Sequence, residues 1–396
     1  MNRHFINTDK FFNAYIDDIY ALGLEADNEI YVLANQENRP GHLTTDNPFW
    51  YVENDVDSIL KVISTFQPED KIFVCWYSGP VAEAIVKSGI KNPLYVYLMG
   101  GDFYADPIEW HVDWLFDKLT RRKIKKAYFP QVKWTRKNPF HWYRIKTDLV
   151  KAHQHKVQVK KAYQKKLKEI ERIDYIVLPI QDVAEIDLVK RLYPTCHAKH
   201  VYGLFDQNFD MASLLCTKPR RDGKWRILFG NSADPTNNYI DGFKYLSKVL
   251  PDVEVFTILS YGDENGKKWA LEAGEKTFGD DFHPIMDFMP RACYLDFLMD
   301  KDAVVMFHNR PQAVGNIMTA LVLGKPVFIK KSNALYEFLK SIGGLPVYDA
   351  VDLKKVSLES CINEALKKRE NTIKAVEGIY SNRLRLELLK KMLRLE

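Results

Sequence analysis

Three polar stretches of this chain combine residue types that can bind a phosphate or a sugar and accept a proton. The stretch HNRPQAVGN, residues 308–316, places Asn309, Arg310 and Gln312 just ahead of Gly315 and Asn316. Glycine lets a backbone approach a ligand closely. A helix opening near Gly315 would offer free N–H groups and a positive dipole end to a phosphate. The stretch GNSADPTNN, residues 230–238, is rich in short hydrogen-bonding side chains: Asn231, Ser232, Asn237 and Asn238 follow Gly230. Such a cluster suits a sugar or a phosphate, and equally a well-capped helix start in which Thr236 or Asn237 is the cap. The third stretch, MGGDFYAD, turns on Gly100 and Gly101 and presents Asp102. A partly desolvated carboxylate there can take a proton from a substrate hydroxyl, or it can simply bond its own turn. Asp106 and Glu109 are further acids close by.

These stretches need elements to position them. Ala303 to Phe307 reads as a buried strand, and Pro326 to Ile329 as a second, with the 308–316 loop and a helix between. That is a βαβ unit, whose ligand edge is the loop after its first strand. The 230–238 loop follows a strand at Trp225 to Phe229. Another strand, Val253 to Leu259, ends in SYGDENG with Tyr261 and Gly262, and Phe282 to Met286 adds a further one. In the N-terminal half, strand patterns at 29–34, 71–76, 94–98 and 173–178 alternate with helical spacing at 55–66, 81–88 and 182–192. Short apolar strands separated by helices predict parallel sheets covered on both faces. Residues 354–368 and 373–393 read as helical. The expectation is α/β: two Rossmann-like domains facing a cleft, with C-terminal helices. The domains divide as 1–205, a linker at 206–223, 224–350, and the helices of 351–396. No GxGxxG fingerprint is present, which argues against a dinucleotide-dependent oxidoreductase.

Composition narrows the class. The five cysteines are scattered and form no CxxC pair, which predicts reduced thiols. Cys196, His197 and His200 lack a second ligand cluster, so no metal site is expected. Neither a signal-peptide pattern nor a run of roughly 18 apolar residues is present, so the protein reads as soluble or peripheral. Charge is uneven. Residues 118–172 hold 19 Lys and Arg against three acids, a balance of +16 in a chain of net charge +5, which leaves −11 for the rest. Trp110, Trp114, Trp134 and Trp142 lie in or beside this segment, and an apolar stripe runs through Ile145, Leu149, Ala152, Val159, Tyr163, Leu167 and Ile170. A solvated helix, a face for an anionic membrane, and a nucleic-acid surface are all compatible with that pattern.

The outline and the runs ILFGNSADPTNNYIDGF, SYGDENG and FHNRPQAVGNIMTALVLGKPVFI resemble the 4-acetamido-4,6-dideoxygalactose transferases of enterobacterial common antigen synthesis. These are GT-B glycosyltransferases also described as 4-alpha-L-fucosyltransferases. The resemblance is most specific over about residues 225–340. It departs from the family pattern at Ala233 and Ala313, where Gly is usual, and at Pro311, where Gln is. It implies an inverting, metal-independent hexosyltransferase without a cofactor. The donor would be a dTDP-linked deoxy-sugar of the Fuc4NAc or fucose type. The acceptor would be a lipid-pyrophosphate-linked glycan of bacterial surface polysaccharide synthesis, at the cytoplasmic face of the inner membrane.

On that reading Asp102 is the catalytic base. Gly230, Asn231, Ser232, Asn237, Asn238, Tyr261, Gly262, Asn309, Arg310, Gln312, Gly315 and Asn316 bind the donor. The basic segment becomes a peripheral contact with an anionic membrane surface, with no nucleic acid as partner. The alternatives are a nucleotide-sugar epimerase of the same architecture, or a non-enzymatic nucleic-acid-binding protein that uses the basic segment.

Overall fold

The structure is a computed structural model. It describes residues 1–9, 12–39, 41, 43–77, 79–104, 108–130, 141–179, 184–204 and 223–394, with the backbone alone for 108–110, 141–145 and 184. The expected linker therefore lies outside the described residues except for Gly223, as do Asp106 and Trp134.

Two compact units account for the chain. The first comprises Met1–Asp106, Lys166–Ser213 and Lys374–Glu396, and the second Pro107–Lys165 and Leu214–Ile373. The sequence reading runs the first domain through residue 205, whereas by contact residues 107–165 group with the second sheet. Their contacts there are specific. The Asp241 carboxylate accepts the N–H groups of Leu119 and Thr120, which caps the helix Lys118–Tyr128, and Tyr128 donates to Asp263 at 3.0 Å.

The first sheet has seven parallel strands: β1 (Asn2–Ile6), β2 (Asn28–Leu33), β3 (Trp50–Val52), β4 (Lys71–Cys75), β5 (Leu94–Tyr97), β6 (Tyr175–Leu178) and β7 (Lys199–Tyr202). They are ordered β3-β2-β1-β4-β5-β6-β7. β1 escapes an apolar-pattern reading because Asn2, Arg3 and His4 stand in it. All three are buried, Arg3 against Asp70 and Glu29, and His4 between Tyr15 and Asn28. Burial lowers the His4 pKa to about 4, so the ring is a neutral core group. Phe12, Ile16 and Ile19 of the helix Phe12–Ala21 and Leu389, Met392 and Leu393 of the helix Asn382–Arg394 contribute to the core of this unit.

The second sheet has six parallel strands: β8 (Trp225–Phe229), β9 (Val253–Ile258), β10 (Phe282–Ile285), β11 (Ala303–Met306), β12 (Val327–Ile329) and β13 (Val347–Asp349). The order is β10-β9-β8-β11-β12-β13. Its core contains an aromatic cluster: Phe243 of the helix Tyr239–Val249 lies edge-on to Phe229, with ring centroids 5.0 Å apart. Truncating such a buried ring to alanine costs about 3–5 kcal/mol. In both sheets the chain order reverses beside the first strand, between β1 and β4 and between β8 and β11. That reversal opens a crevice at the carboxyl edge, where sheets of this kind take ligands.

Candidate functional site

The β8–β11 reversal brings the 230–238 and 308–316 loops side by side. Gly230 has φ 73°, and a Cβ there would stand 2.4 Å from the Tyr239 hydroxyl, so the turn requires glycine. Gln312 links the two loops: its amide donates to Asn231 Oδ1 at 2.9 Å, and its carbonyl accepts from the Thr236 hydroxyl at 2.9 Å. The SYGDENG loop closes in from β9. Gly262 (φ 119°) and Gly266 both lie against the first loop, where added Cβ atoms would meet Asp234 N at 2.8 Å and Ala233 O at 2.1 Å. Ala233 donates to the Tyr261 carbonyl at 2.7 Å, and the Tyr261 side chain stays exposed.

The asparagines of these loops divide by burial. Asn237 is fully buried; it donates to the carbonyls of Ser232 and Asp234 and accepts from the Asn231 N–H. Asn238, also fully buried and left-handed at φ 53°, accepts from the Asp117 N–H and donates to the Thr236 carbonyl. Asn309 donates to the carbonyl of Trp114 and accepts from Lys330 at 3.0 Å. With their amides engaged in the protein, these three shape the loops, and Asn231, Tyr261, Arg310 and Gln312 remain partly exposed. The cap also differs from expectation. Asp234, not Thr236 or Asn237, caps the short turn through Thr236 N, and the Asn238 side chain makes no cap bond to the helix Tyr239–Val249 that follows it.

The helix Val314–Val322 begins at the end of the third loop. Its N-cap is Ala313, held at φ 57° and supplying no side-chain acceptor, so Gly315 and Asn316 sit in an uncapped first turn. That turn is a ready anion site, and Arg310 lies in the same loop.

Two residues here have no sequence signal beyond standing at strand ends. Lys330 directly follows β12; it is buried, pairs with Asp117, and lies 4.2 Å from the Phe307 ring centroid. Burial lowers its pKa, and Asp117 opposes that shift. His308 follows Phe307 at the end of β11 and is fully buried. Its Nδ1 lies 2.8 Å from the Asn333 amide nitrogen, which donates to it. Burial, then the nearby Arg310 charge, push its pKa down to about 3, so the ring is neutral with its hydrogen on Nε2.

In the first unit, Asp102 lies in the short helix Gly101–Tyr104 after β5, 1% exposed. Oδ2 accepts the Tyr77 N–H at 3.2 Å, and Oδ1 has no hydrogen-bond partner among the described residues. Burial raises its pKa to about 6, against the pull of Lys166 and of backbone N–H groups. It is thus a carboxylate near neutrality with one uncommitted oxygen, which is what proton abstraction needs. No group of three or more His, Cys, Asp or Glu side chains suited to a metal occurs among the described residues.

Solved structures share this fold at low identity. Sucrose-phosphate synthase from Thermosynechococcus elongatus matches with TM-score 0.59 and 10% identity over 100% of this chain and 98% of its own. Anabaena HepE in complex with UDP and glucose matches with TM-score 0.59 and 12% identity over 99% of each chain. An E. coli trehalose-6-phosphate structure bound with UDP-2-fluoro glucose gives TM-score 0.57 and 8% identity over 100% and 99%. With two parallel α/β sheets of this order, the protein has the GT-B architecture of glycosyltransferases. Residues 136–368 match glycosyl transferase group 56, the 4-alpha-L-fucosyltransferases, and the chain belongs to that family.

Proposed function

We propose that the protein moves a deoxy-sugar of the fucose or 4-acetamido-4,6-dideoxygalactose type from a dTDP-linked donor to a lipid-pyrophosphate-linked saccharide, with inversion and without metal. The observation that carries the donor side is the uncapped first turn of the helix Val314–Val322 beside Arg310, at the strand-order reversal of the second sheet. As the glycosidic bond breaks, negative charge grows on the departing diphosphate. Fixed N–H groups and a guanidinium stabilise that charge without reorganising. Asn231 and the exposed Tyr261 position the nucleotide or the sugar, and Gln312 holds the two loops together. That relatives of the same fold hold UDP with glucose, or UDP-2-fluoro glucose, supports a nucleotide sugar here.

Asp102 takes the proton of the acceptor hydroxyl as that oxygen attacks the anomeric carbon. The nucleotide leaves with its charge stabilised, so a single carboxylate suffices. Membrane attachment follows from the basic segment, because a lipid-linked acceptor lies in an anionic leaflet.

A panel of dTDP, UDP and GDP sugars, scored by thermal shift, tests the donor reading, since ligands of the native state raise the melting temperature. The dTDP sugars should give the largest shift. Arg310→Ala should weaken it by roughly 1.5–3 kcal/mol, the range for a hydrogen bond to a charged group. An unchanged dissociation constant removes Arg310 from the site. Transfer should survive EDTA. If the purified protein converts a nucleotide sugar with no acceptor present and releases no nucleotide, it is an epimerase.

A further inference from the structure

Trp76 stands immediately after β4, at the carboxyl edge of the first sheet, with its backbone at φ 70°. Bulky residues rarely adopt that left-handed conformation, and where they do the surroundings must enforce it. Here they do so through Tyr77. Its N–H donates to Asp102 Oδ2 at 3.2 Å, its carbonyl accepts from Lys166 Nζ at 3.1 Å, and its hydroxyl donates to the Glu169 carbonyl at 3.2 Å. Tyr77 is wholly buried, whereas Trp76 is 42% exposed.

The indole is nonetheless seated. Its benzo edge lies on Gly101, where an added Cβ would come within 2.6 Å of Cη2. Gly101 is thus shaped to receive the ring, and the next residue is Asp102, whose buried Oδ1 has no hydrogen-bond partner among the described residues. At the same sheet edge the ends of β1 and β2 line a cavity of about 650 Å³ with Asn7, Thr8, Asp9, Asn35, Arg39 and Asn54. β1 is hydrogen-bonded directly beside β4. A polar cavity, an exposed aromatic face and a carboxylate at one edge match the chemistry of a saccharide, whose hydroxyls need hydrogen-bonding groups and whose C–H face packs on an aromatic ring.

We propose that Trp76 is the stacking platform that holds the acceptor saccharide at Asp102, while the polar cavity takes the adjoining sugar. The inference rests on the reading of the protein as a transferase to a saccharide acceptor. It explains why strain is retained at a tryptophan: the left-handed turn keeps the indole at the surface while Tyr77 anchors the Asp102 loop.

Saturation-transfer NMR on the full chain tests it. The probe is a panel of methyl glycosides of glucose, galactose and mannose and their 2-acetamido analogues. Wild type should transfer saturation to the C–H protons of one sugar face. Trp76→Ala should lose roughly tenfold of that signal, and Trp76→Phe should keep part of it, since a smaller ring still stacks. Trp76→Gly accepts φ 70° without strain, so it keeps the fold and should lose the signal as fully as Trp76→Ala.

Saturation that persists unchanged in the Ala and Gly variants, or its absence in wild type at high millimolar saccharide, overturns the proposal. The saccharide readout needs no nucleotide. If dTDP fails to shift the melting temperature while saccharide contact depends on Trp76, the donor assignment falls and the role of Trp76 stands.

Discussion

In the proposed mechanism Asp102 ties activity to stability through one buried group. Its carboxyl is raised from 3.8 to about 6, so the folded protein binds this proton more tightly than the unfolded chain does. Ionising it therefore opposes folding. Stability is lost as pH rises from about 4 through 6, by roughly 3 kcal/mol at about 1.4 kcal/mol per pH unit. Transfer should rise over the upper part of the same window, because only the ionised form is a base. Asp102→Asn removes both effects. It should unfold at higher urea than wild type at pH 7, melt alike near pH 4, bind nucleotide normally, and lose transfer by roughly 10²–10⁴-fold. Near wild-type turnover would exclude Asp102 from the mechanism. The position of Asp102 in a turn at the end of a strand was readable in advance from the two glycines before it. His308 and Lys330 were not, because their burial comes from Asn333 and Asp117, distant in sequence.

Among the elements, the three loops of the second sheet act as one packed body, and glycine sets their separation. Gly266→Ala would put a Cβ 2.1 Å from the Ala233 carbonyl oxygen, which is backbone and can give way only by moving the 230–238 loop. Destabilisation of roughly 1–3 kcal/mol is expected in denaturant titration, together with weaker nucleotide binding. Ala313→Gly tests the opposite sign. Ala313 is left-handed at φ 57°, which costs an L residue about 1–2 kcal/mol, and glycine is free of that cost. The variant should be at least as stable as wild type; a clear drop in its urea midpoint would contradict this. Most strands of this sheet were legible as short apolar runs. β13 was not, since Tyr348 and Asp349 interrupt its apolar run, and its neighbour β12 supplies the pairing that defines it.

For the molecule as a whole, the uneven charge has a structural counterpart in the helix His141–Glu171. Leu149, Val150 and Val157 are exposed on it among Lys146, Lys151, Lys156, Lys160 and Lys161, whereas Ile170 near its end is fully buried. Of the expected apolar stripe, Leu149 is exposed, and Ala152, Val159 and Tyr163 are half-buried. No described helix is long and apolar enough to cross a membrane. Exposed apolar residues among lysines suit a surface contact with anionic lipid, at about 1 kcal/mol per lysine near the headgroups. Replacing Lys151, Lys156, Lys160 and Lys161 by Glu should abolish co-sedimentation with phosphatidylserine vesicles. Wild-type binding should weaken with added salt, and transfer to a water-soluble acceptor should persist in the variant. Retention on RNA or DNA at physiological salt, with none on vesicles, would assign the segment to nucleic acid.

The one-dimensional pattern was enough for the fold class, for the parallel character of both sheets and for where three polar loops leave the strands of the second sheet. Apolar periodicity reports burial of whole elements, and glycine-rich polar runs report where strands end. Two things emerged only in three dimensions. Strand order places the 230–238 and 308–316 loops at one reversal, and that order depends on crossovers no local pattern encodes. Burial divides similar asparagines into scaffold and exposed groups, and contacts 192 residues apart, such as Asn309 with Asp117, decide which is which. The 308–316 loop therefore ends in an uncapped helix turn, and Asn309 anchors it through Trp114, Asp117 and Lys330.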